Sequence, residues 1–379
     1  MAAAGAWGGA RRGPGGAGIV RGVEIEVRGS GGDQGWPAAG CRCASCRRAA
    51  AGGRPREAFR VVVDGVVELP SPSPAGVAGY EVRKVAGGWE VTGPDGTRLL
   101  IGARPEVGAG AGRYDAVLLD LVGDPAQLGR LRRLGAVDGG TLVLAGFADH
   151  RVRSEGELER RCSFWGAVAA RDGAVHPVPG AAPGVTPPRA GAGGARRVLV
   201  LGGAGSGKSA EAELRLAAEP EVTYLATGRP DPADREWTAR IDAHRRRRPR
   251  WWRTVETADL AGALGPGPDA VPGAILVDSV TTWLAGAMDD CGSWAASGWS
   301  EADGSAARLA GRVDELLAAW RQADGYVVAV SDETGLGVIP DSRAVRLFRD
   351  ELGRLNQRLA AESEEFVLVV AGRPMAAAD

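Results

Sequence analysis

The chain has almost no net charge: 46 Lys and Arg against 47 Asp and Glu leave −1 over 379 residues. Proteins dedicated to nucleic acid or to anionic membrane surfaces need a basic excess, so no nucleic-acid partner is expected. No stretch approaches the roughly 18 uninterrupted apolar residues of a membrane span. Arg11-Arg12 near the start is followed by Gly- and Pro-rich sequence where a secretory leader would place an apolar core. These absences point to a cytoplasmic protein. Five cysteines, unevenly spaced, do not form a disulfide framework. Histidine is scarce as well, with only His150, His176 and His244, which narrows the metal chemistry open to the chain.

Glycine and proline are plentiful, at 59 and 23 residues. The apolar fraction of 44% and charged fraction of 25% suit a chain with a packed core, and the length suits two domains. The sharpest break runs from Pro177 to Ala195, where Pro and Gly interrupt regular structure and few apolar side chains are available for burial. The expected organisation is a flexible tail over 1–18, a first domain over 19–176, a linker over 177–195 and a second domain over 196–379.

In the second domain, short apolar runs recur at Val198–Leu201, Val222–Ala226, Ala274–Val277, Tyr326–Val330 and Phe366–Val370. Runs this short, apolar at consecutive positions, predict strands buried on both faces. Longer amphipathic stretches separate them, at 209–218, 234–248, 306–323 and 342–362. Alternation of strand and helix predicts an α/β fold, a parallel sheet with helices on both faces. In the first domain Val23–Val27, Phe59–Val63, Val66–Leu69, Tyr80–Val85, Trp89–Val91, Ala116–Leu119 and Thr141–Leu144 predict strands, and Pro125–Leu134 and Glu155–Phe164 predict helices.

Gly202-Gly203-Ala204-Gly205-Ser206-Gly207-Lys208-Ser209 fits the pattern G-x-x-x-x-G-K-[ST], with a predicted strand before it and a predicted helix after it. The glycines let several backbone N–H groups turn toward one anion, and the helix directs its positive end to the same place. Lys208 is expected to reach the β- and γ-phosphates of a nucleoside triphosphate and Ser209 to bind Mg²⁺. Asp278 ends a later apolar strand, where an acidic residue helps hold that metal. Arg240, His244, Arg247 and Arg248 are spaced by three and four residues and share one helical face. A neutral imidazole there can attack phosphorus, and neighbouring guanidinium groups keep it neutral and stabilise charge on phosphate oxygens. A solvated basic helix with an incidental histidine is the competing reading. So is a nucleic-acid patch that uses Trp251 and Trp252 as stacking platforms.

Residues from about 196 to 375 resemble the bifunctional adenosylcobinamide kinase/adenosylcobinamide-phosphate guanylyltransferase family of cobalamin biosynthesis. The resemblance is carried in order by Leu199–Ser209, Tyr224–Gly228, Arg240–Pro249 with Trp252-Arg253-Thr254, Val277-Asp278 with Trp283-Leu284, Val330–Glu333 with Gly335-Leu336-Gly337, and Phe348–Asn356. It implies a P-loop fold and two reactions. Adenosylcobinamide is phosphorylated by ATP or GTP, and GMP then passes from GTP through a guanylylated histidine to adenosylcobinamide phosphate. It places the guanylylated residue at His244. It places the GTP contacts at Gly202, Gly203, Ala204, Gly205, Ser206, Gly207, Lys208, Ser209, Ala226, Thr227, Gly228, Arg245, Arg246, Arg247, Arg248, Glu256 and Asp278, and it implies a homotrimer. The chain departs from the family at Gly205, where Arg is usual, at Asp332, where Asn is usual, and at Ser279-Val280, where Cys-Leu is usual. A nucleotide-binding regulator whose basic helix contacts nucleic acid or a partner is the alternative.

Cys41, Cys43 and Cys46 form a compact C-x-C-x-x-C cluster. Three thiolates fill three corners of a tetrahedral zinc, with a fourth ligand from elsewhere; reduced, unligated thiols are the other possibility. With Val61–Gly65, Tyr114–Asp120, Gly123 and Asp149-His150, the first half resembles a shortened metallo-β-lactamase-like domain of the phosphodiesterase type. That resemblance implies a structural Zn²⁺ held by the three cysteines and His150, and makes Asp120 a leftover metal-bridging carboxylate. The H-x-H-x-D-H run of the family's catalytic site is missing, and Phe147 stands where another active-site histidine belongs. A degenerate or repurposed module is therefore expected.

Overall fold

The computed structural model describes residues 22–53, 55–71, 76–178, 196–228, 245–292 and 304–376. The expected tail, the linker from residue 179 onward and most of the helix expected over 234–248 fall outside this range. His244 falls outside it too.

The first half contains β1 (Glu24–Gly29), α1 (Ala44–Ala51), β2 (Arg60–Val63), β3 (Val67–Leu69), β4 (Glu81–Val85), β5 (Gly88–Thr92), β6 (Arg98–Gly102) and β7 (Ala116–Leu119). It continues with α2 (Ala126–Arg133), β8 (Leu142–Ala145), α3 (Glu155–Trp165), β9 (Val168–Ala169) and β10 (Val175–Pro177). A four-stranded antiparallel sheet runs β10-β1-β2-β3, and a six-stranded mixed sheet runs β4-β5-β6-β7-β8-β9. Side-chain alternation explains how they stack. Leu99, Ile101, Ala116 and Leu118 of the mixed sheet join Ile25, Val27, Val61 and Val63 in one core between the sheets. Leu100, Val117 and Leu119 point the other way, into a core closed by α2 and α3. Pro177 belongs to β10, paired with Glu24, so regular structure enters the first residue of the expected linker.

The second half contains β11 (Arg196–Gly202), α4 (Lys208–Leu216), β12 (Val222–Ala226), β13 (Arg253–Glu256), α5 (Leu260–Leu264) and β14 (Ala274–Asp278). It continues with α6 (Val280–Asp290), α7 (Ser305–Gln322), β15 (Tyr326–Asp332), α8 (Arg343–Ala361), β16 (Glu365–Val370) and β17 (Arg373–Ala376). One seven-stranded sheet runs β13-β12-β14-β15-β11-β16-β17, parallel except for the final pair. Leu199, Leu201, Leu225, Val277 and Val327 pack under α5 to α8 with Trp283, Leu284, Leu316 and Trp320. Their alternates Val198, Val200, Val222, Leu276 and Val328 pack against Ala212 and Leu216 of α4. Burial on both faces is why these strands read as continuous apolar runs. Truncating a central residue such as Leu276 to Ala costs about 2–5 kcal/mol.

The halves meet along α4. Trp165 Nε1 donates to Leu214 O at 2.9 Å, Arg132 donates to Ala218 O at 2.8 Å, and Arg160 pairs with Glu211 at 2.6 Å. Ala218 and Leu214 pack into the first half's core, so the contact is apolar as well as ionic.

Candidate nucleotide-binding site

Strands β11, β12, β14 and β15 bring Gly202, Ala226, Asp278 and Asp332 to the same edge of the sheet. In open parallel sheets ligands bind outside these carboxyl ends. The loop after β11 is shaped by its glycines. A Cβ at Gly202 would sit 2.4 Å from Ser206 Oγ and 2.7 Å from Val369 O, and Gly205 and Gly207 have φ of +68° and +96°. A side chain at any of the three is opposed by sterics. Gly372 N donates to Ser206 O at 2.7 Å and fixes the loop from the β16–β17 turn. That turn is itself held by the first half, through Arg153 donating to Gly372 O at 2.8 Å.

Lys208 opens α4 and is buried. Its Nζ donates to Gly203 O at 3.2 Å and lies 2.6 Å from Asp332 Oδ1. Asp332 is the Asn-to-Asp departure noted in the sequence, and the register of β11 against β15 sets it directly beside Gly202. Its backbone is fixed on both sides. Asp332 N donates to Thr281 Oγ1 at 2.8 Å, and Asn356 Nδ2 donates to Asp332 O at 3.0 Å.

Asp278 ends β14 and accepts from Tyr224 OH at 2.7 Å. Burial, then the charge and hydrogen bond of Asp278, push the Tyr224 phenol well above its ordinary pKa. Arg248 stacks on the Tyr224 ring at 3.6 Å, and desolvation lowers its own pKa. The Thr227 hydroxyl donates to Ser279 O at 2.6 Å and accepts from Ser279 N at 3.0 Å. It thereby joins the ends of β12 and β14, and Ser279 caps α6 in a capping box with Thr282. Ser209 at the head of α4 and Asp278 across the edge offer a hydroxyl and a carboxylate, the hard oxygen donors that Mg²⁺ takes.

The expected basic helix is helical at 245–247, but Arg248 lies beyond its end. Arg240 and His244 of the expected face lie outside the described residues, and Arg245, Arg247 and Arg248 take different partners. Arg245 lies 3.5 Å from Glu256, Arg247 pairs with Glu213 of α4 at 3.1 Å, and Arg248 turns inward onto Tyr224. Tyr224, Thr281, Thr282 and Asn356 were not singled out by sequence reasoning as nucleotide-site residues, and Asp332 was marked only as a departure from the family. The polar ends of β12, β14 and β15 were the available signal.

In the first half, the ligand atoms of Cys41, Cys43, Cys46 and His150 all lie within 4.8 Å of one another. Metal bonds of about 2.3 Å in a tetrahedron place ligand atoms about 3.8 Å apart, so the donor set and its spacing fit zinc. A hydrogen bond from Cys46 N lowers the Cys43 pKa, while burial pushes the Cys46 thiol up to about 11. Asp120 is not part of this group. It pairs with Arg151 at 3.0 Å and accepts from Gly123 N at 2.8 Å.

The family model described as cobinamide kinase / cobinamide phosphate guanyltransferase matches residues 198–377. The bifunctional adenosylcobalamin biosynthesis protein CobU of Salmonella typhimurium is 38% identical over 190 residues, which is 46% of this chain and 96% of that protein. CobU of Escherichia coli is 37% identical over 181 residues, with the same coverage. CobP of Pseudomonas aeruginosa is 41% identical over 184 residues, 47% of this chain and 95% of that protein. Through its second half, the chain belongs to the cobinamide kinase/cobinamide phosphate guanyltransferase family.

Proposed function

We propose that this enzyme phosphorylates adenosylcobinamide and then guanylylates the product. In the first step the aminopropanol hydroxyl oxygen attacks the γ-phosphorus of ATP or GTP and the nucleoside diphosphate leaves. Lys208 and the N–H groups of the 202–209 loop hold the phosphates, an electrostatic and positioning role. Ser209 and Asp278 are the residues that would hold Mg²⁺, whose charge offsets that of the phosphate oxygens. In the second step a neutral His244 nitrogen attacks the α-phosphorus of GTP and pyrophosphate leaves. An oxygen of adenosylcobinamide phosphate then displaces the histidine, giving adenosylcobinamide-GDP. Ala226, Thr227, Gly228, Arg245–Arg248 and Glu256 supply the remaining GTP contacts, and the enzyme acts as a homotrimer.

The observation that carries this reading is the intact phosphate loop, with buried Lys208 at the head of α4, inside a matched span of 198–377. Incubation with GTP labelled on its α-phosphate tests it. The expected result is an acid-labile, base-stable protein adduct that disappears in His244→Ala. An unlabelled wild-type protein would overturn the histidine mechanism.

For the first half we read a shortened metallo-β-lactamase-like domain in which Cys41, Cys43, Cys46 and His150 hold a structural zinc. Two sheets sharing one core and the clustering of the four ligands support this reading. With three histidines in the whole chain and Asp120 engaged by Arg151, it is read as a non-hydrolytic module.

A further inference from the structure

A cleft of about 510 Å³ lies between the two halves, alongside α4. One wall comes from the second half, through Arg246 to Trp252, and the other from the first half, through Gly123 to Arg130. Its size is that of a small-molecule site. None of the phosphate-loop residues 202–209 lines it, and α4 contributes Ala210, Glu213 and Leu214. Arg130 and Arg250 line the cleft outside the arginines assigned to GTP, with Arg246, Arg247 and Arg248 beside them, against two carboxylates among the described residues, Asp124 and Glu213. Trp251 and Trp252 stand among them. Trp252 is only 8% exposed, and the indole N–H groups of both are buried with no acceptor among the described residues. A buried donor without an acceptor is costly, so a ligand that brings oxygen atoms recovers that cost. The excess of guanidinium groups selects for anionic oxygens, with bidentate phosphate recognition as the strongest form.

We propose that this cleft binds the phosphomonoester end of the acceptor substrate. This rests on the reading that the second step consumes adenosylcobinamide phosphate. The unphosphorylated corrinoid lacks the dianion, and the wall from Arg246 to Trp252 begins two residues after His244 in sequence. The family model matches residues 198–377, so the wall carrying Arg130 lies outside the matched span. The first half thereby becomes part of the acceptor site.

Equilibrium dialysis of the full chain against adenosylcobinamide phosphate and adenosylcobinamide, read by corrin absorbance, tests the proposal. Arg130 and Arg250 are both exposed, so Arg130→Ala and Arg250→Ala are expected to fold, with circular dichroism as the check. The expected result is about tenfold weaker binding of the phosphorylated corrinoid in each variant, with the unphosphorylated form changed less than about twofold. Equal losses for both corrinoids, or no loss for either, would overturn it. If wild-type protein forms the GMP adduct while both variants bind the phosphorylated form undiminished, only the cleft assignment fails. If wild-type protein forms no adduct and binds neither corrinoid, the functional reading fails and takes this inference with it.

Discussion

Lys208 Nζ lies 2.6 Å from Asp332 Oδ1, so the ammonium group expected to meet the nucleotide phosphates is held by a carboxylate from the neighbouring strand. An incoming triphosphate must draw Lys208 away from Asp332 and then sit beside that carboxylate. Both effects oppose binding when no divalent cation offsets the added charge. Asp332→Asn keeps the shape and the backbone bonds to Thr281 and Asn356 while removing the charge. Metal-free GTP is expected to bind about tenfold more tightly to this variant, with a smaller gain in Mg²⁺. Titration with a fluorescent GTP analogue measures it, and unchanged or weaker metal-free binding contradicts the argument.

Arg215 illustrates a different use of charge. Its side chain is 1% exposed and bridges Glu211 at 3.0 Å and Glu365 at 2.8 Å, and Arg196 also pairs with Glu365 at 3.1 Å. Removing one partner of a buried pair leaves an uncompensated charge, so Glu365→Gln is expected to cost about 2–3 kcal/mol at neutral pH. Burial alone would raise the Glu365 carboxyl, but hydrogen bonds and charge from Arg215 and Arg196 outweigh it and the net shift is downward. A depressed carboxyl contributes stability above its unfolded pKa, about 4.3. That stability is lost as pH falls through the folded value. The gap between wild type and Glu365→Gln in chemical denaturation is therefore expected to be full above about pH 5 and to narrow below pH 4.3. A gap that does not depend on pH would show that the ion pairs are not its source.

Much of the second half was legible because its central strands are buried on both faces. Val222–Ala226 has the same bounds in sequence and structure, as does Ala116–Leu119 of the first half, buried on both faces too. Strand β13, Arg-Thr-Val-Glu, was not legible, since among the described residues it is an edge strand paired only with β12, and it carries no apolar run. Helix α6 was missed because an inward-facing helix carrying Val280, Trp283, Leu284, Ala287 and Met288 has little polar face to mark its period. At the site, the phosphate loop is local and could be read from eight residues. The Lys208–Asp332 pair depends on β15 lying beside β11 across 123 residues of intervening chain, which no local pattern encodes. The same holds for the docking of α3 on α4.

Gly129 reports on that docking. On α2, a Cβ at this position would sit 2.8 Å from Glu219 O and 3.0 Å from Ala217 O, both backbone atoms of the second half. Gly129→Ala must move the halves apart and is expected to cost about 1–3 kcal/mol, seen as a lowered unfolding midpoint. Gly156 on α3 is the control, because its Cβ would meet nothing within 4 Å. There alanine removes backbone freedom from the unfolded chain and is expected to leave stability equal or raise it by up to about 1 kcal/mol. Equal effects at the two positions would mean that the close contact between the halves does not form in solution.

The cysteine cluster yields the last prediction. Cys43 and Cys46 flank the start of α1, whose Arg48 donates to Arg153 O at 2.9 Å, while His150 comes from the loop before α3. A zinc ion would tie α1 to the loop through 149–153, and Arg153 in turn donates to Gly372 O beside the phosphate loop. Elemental analysis of purified protein is expected to find about one zinc per chain, and a clear loss in Cys43→Ser. Because the ligands come from two separated segments, a chelator is expected to lower the unfolding midpoint of the wild type by several degrees and that of Cys43→Ser much less. Near-equal zinc content in the two proteins would remove the site, and a chelator that leaves the wild-type midpoint unchanged would remove its structural role.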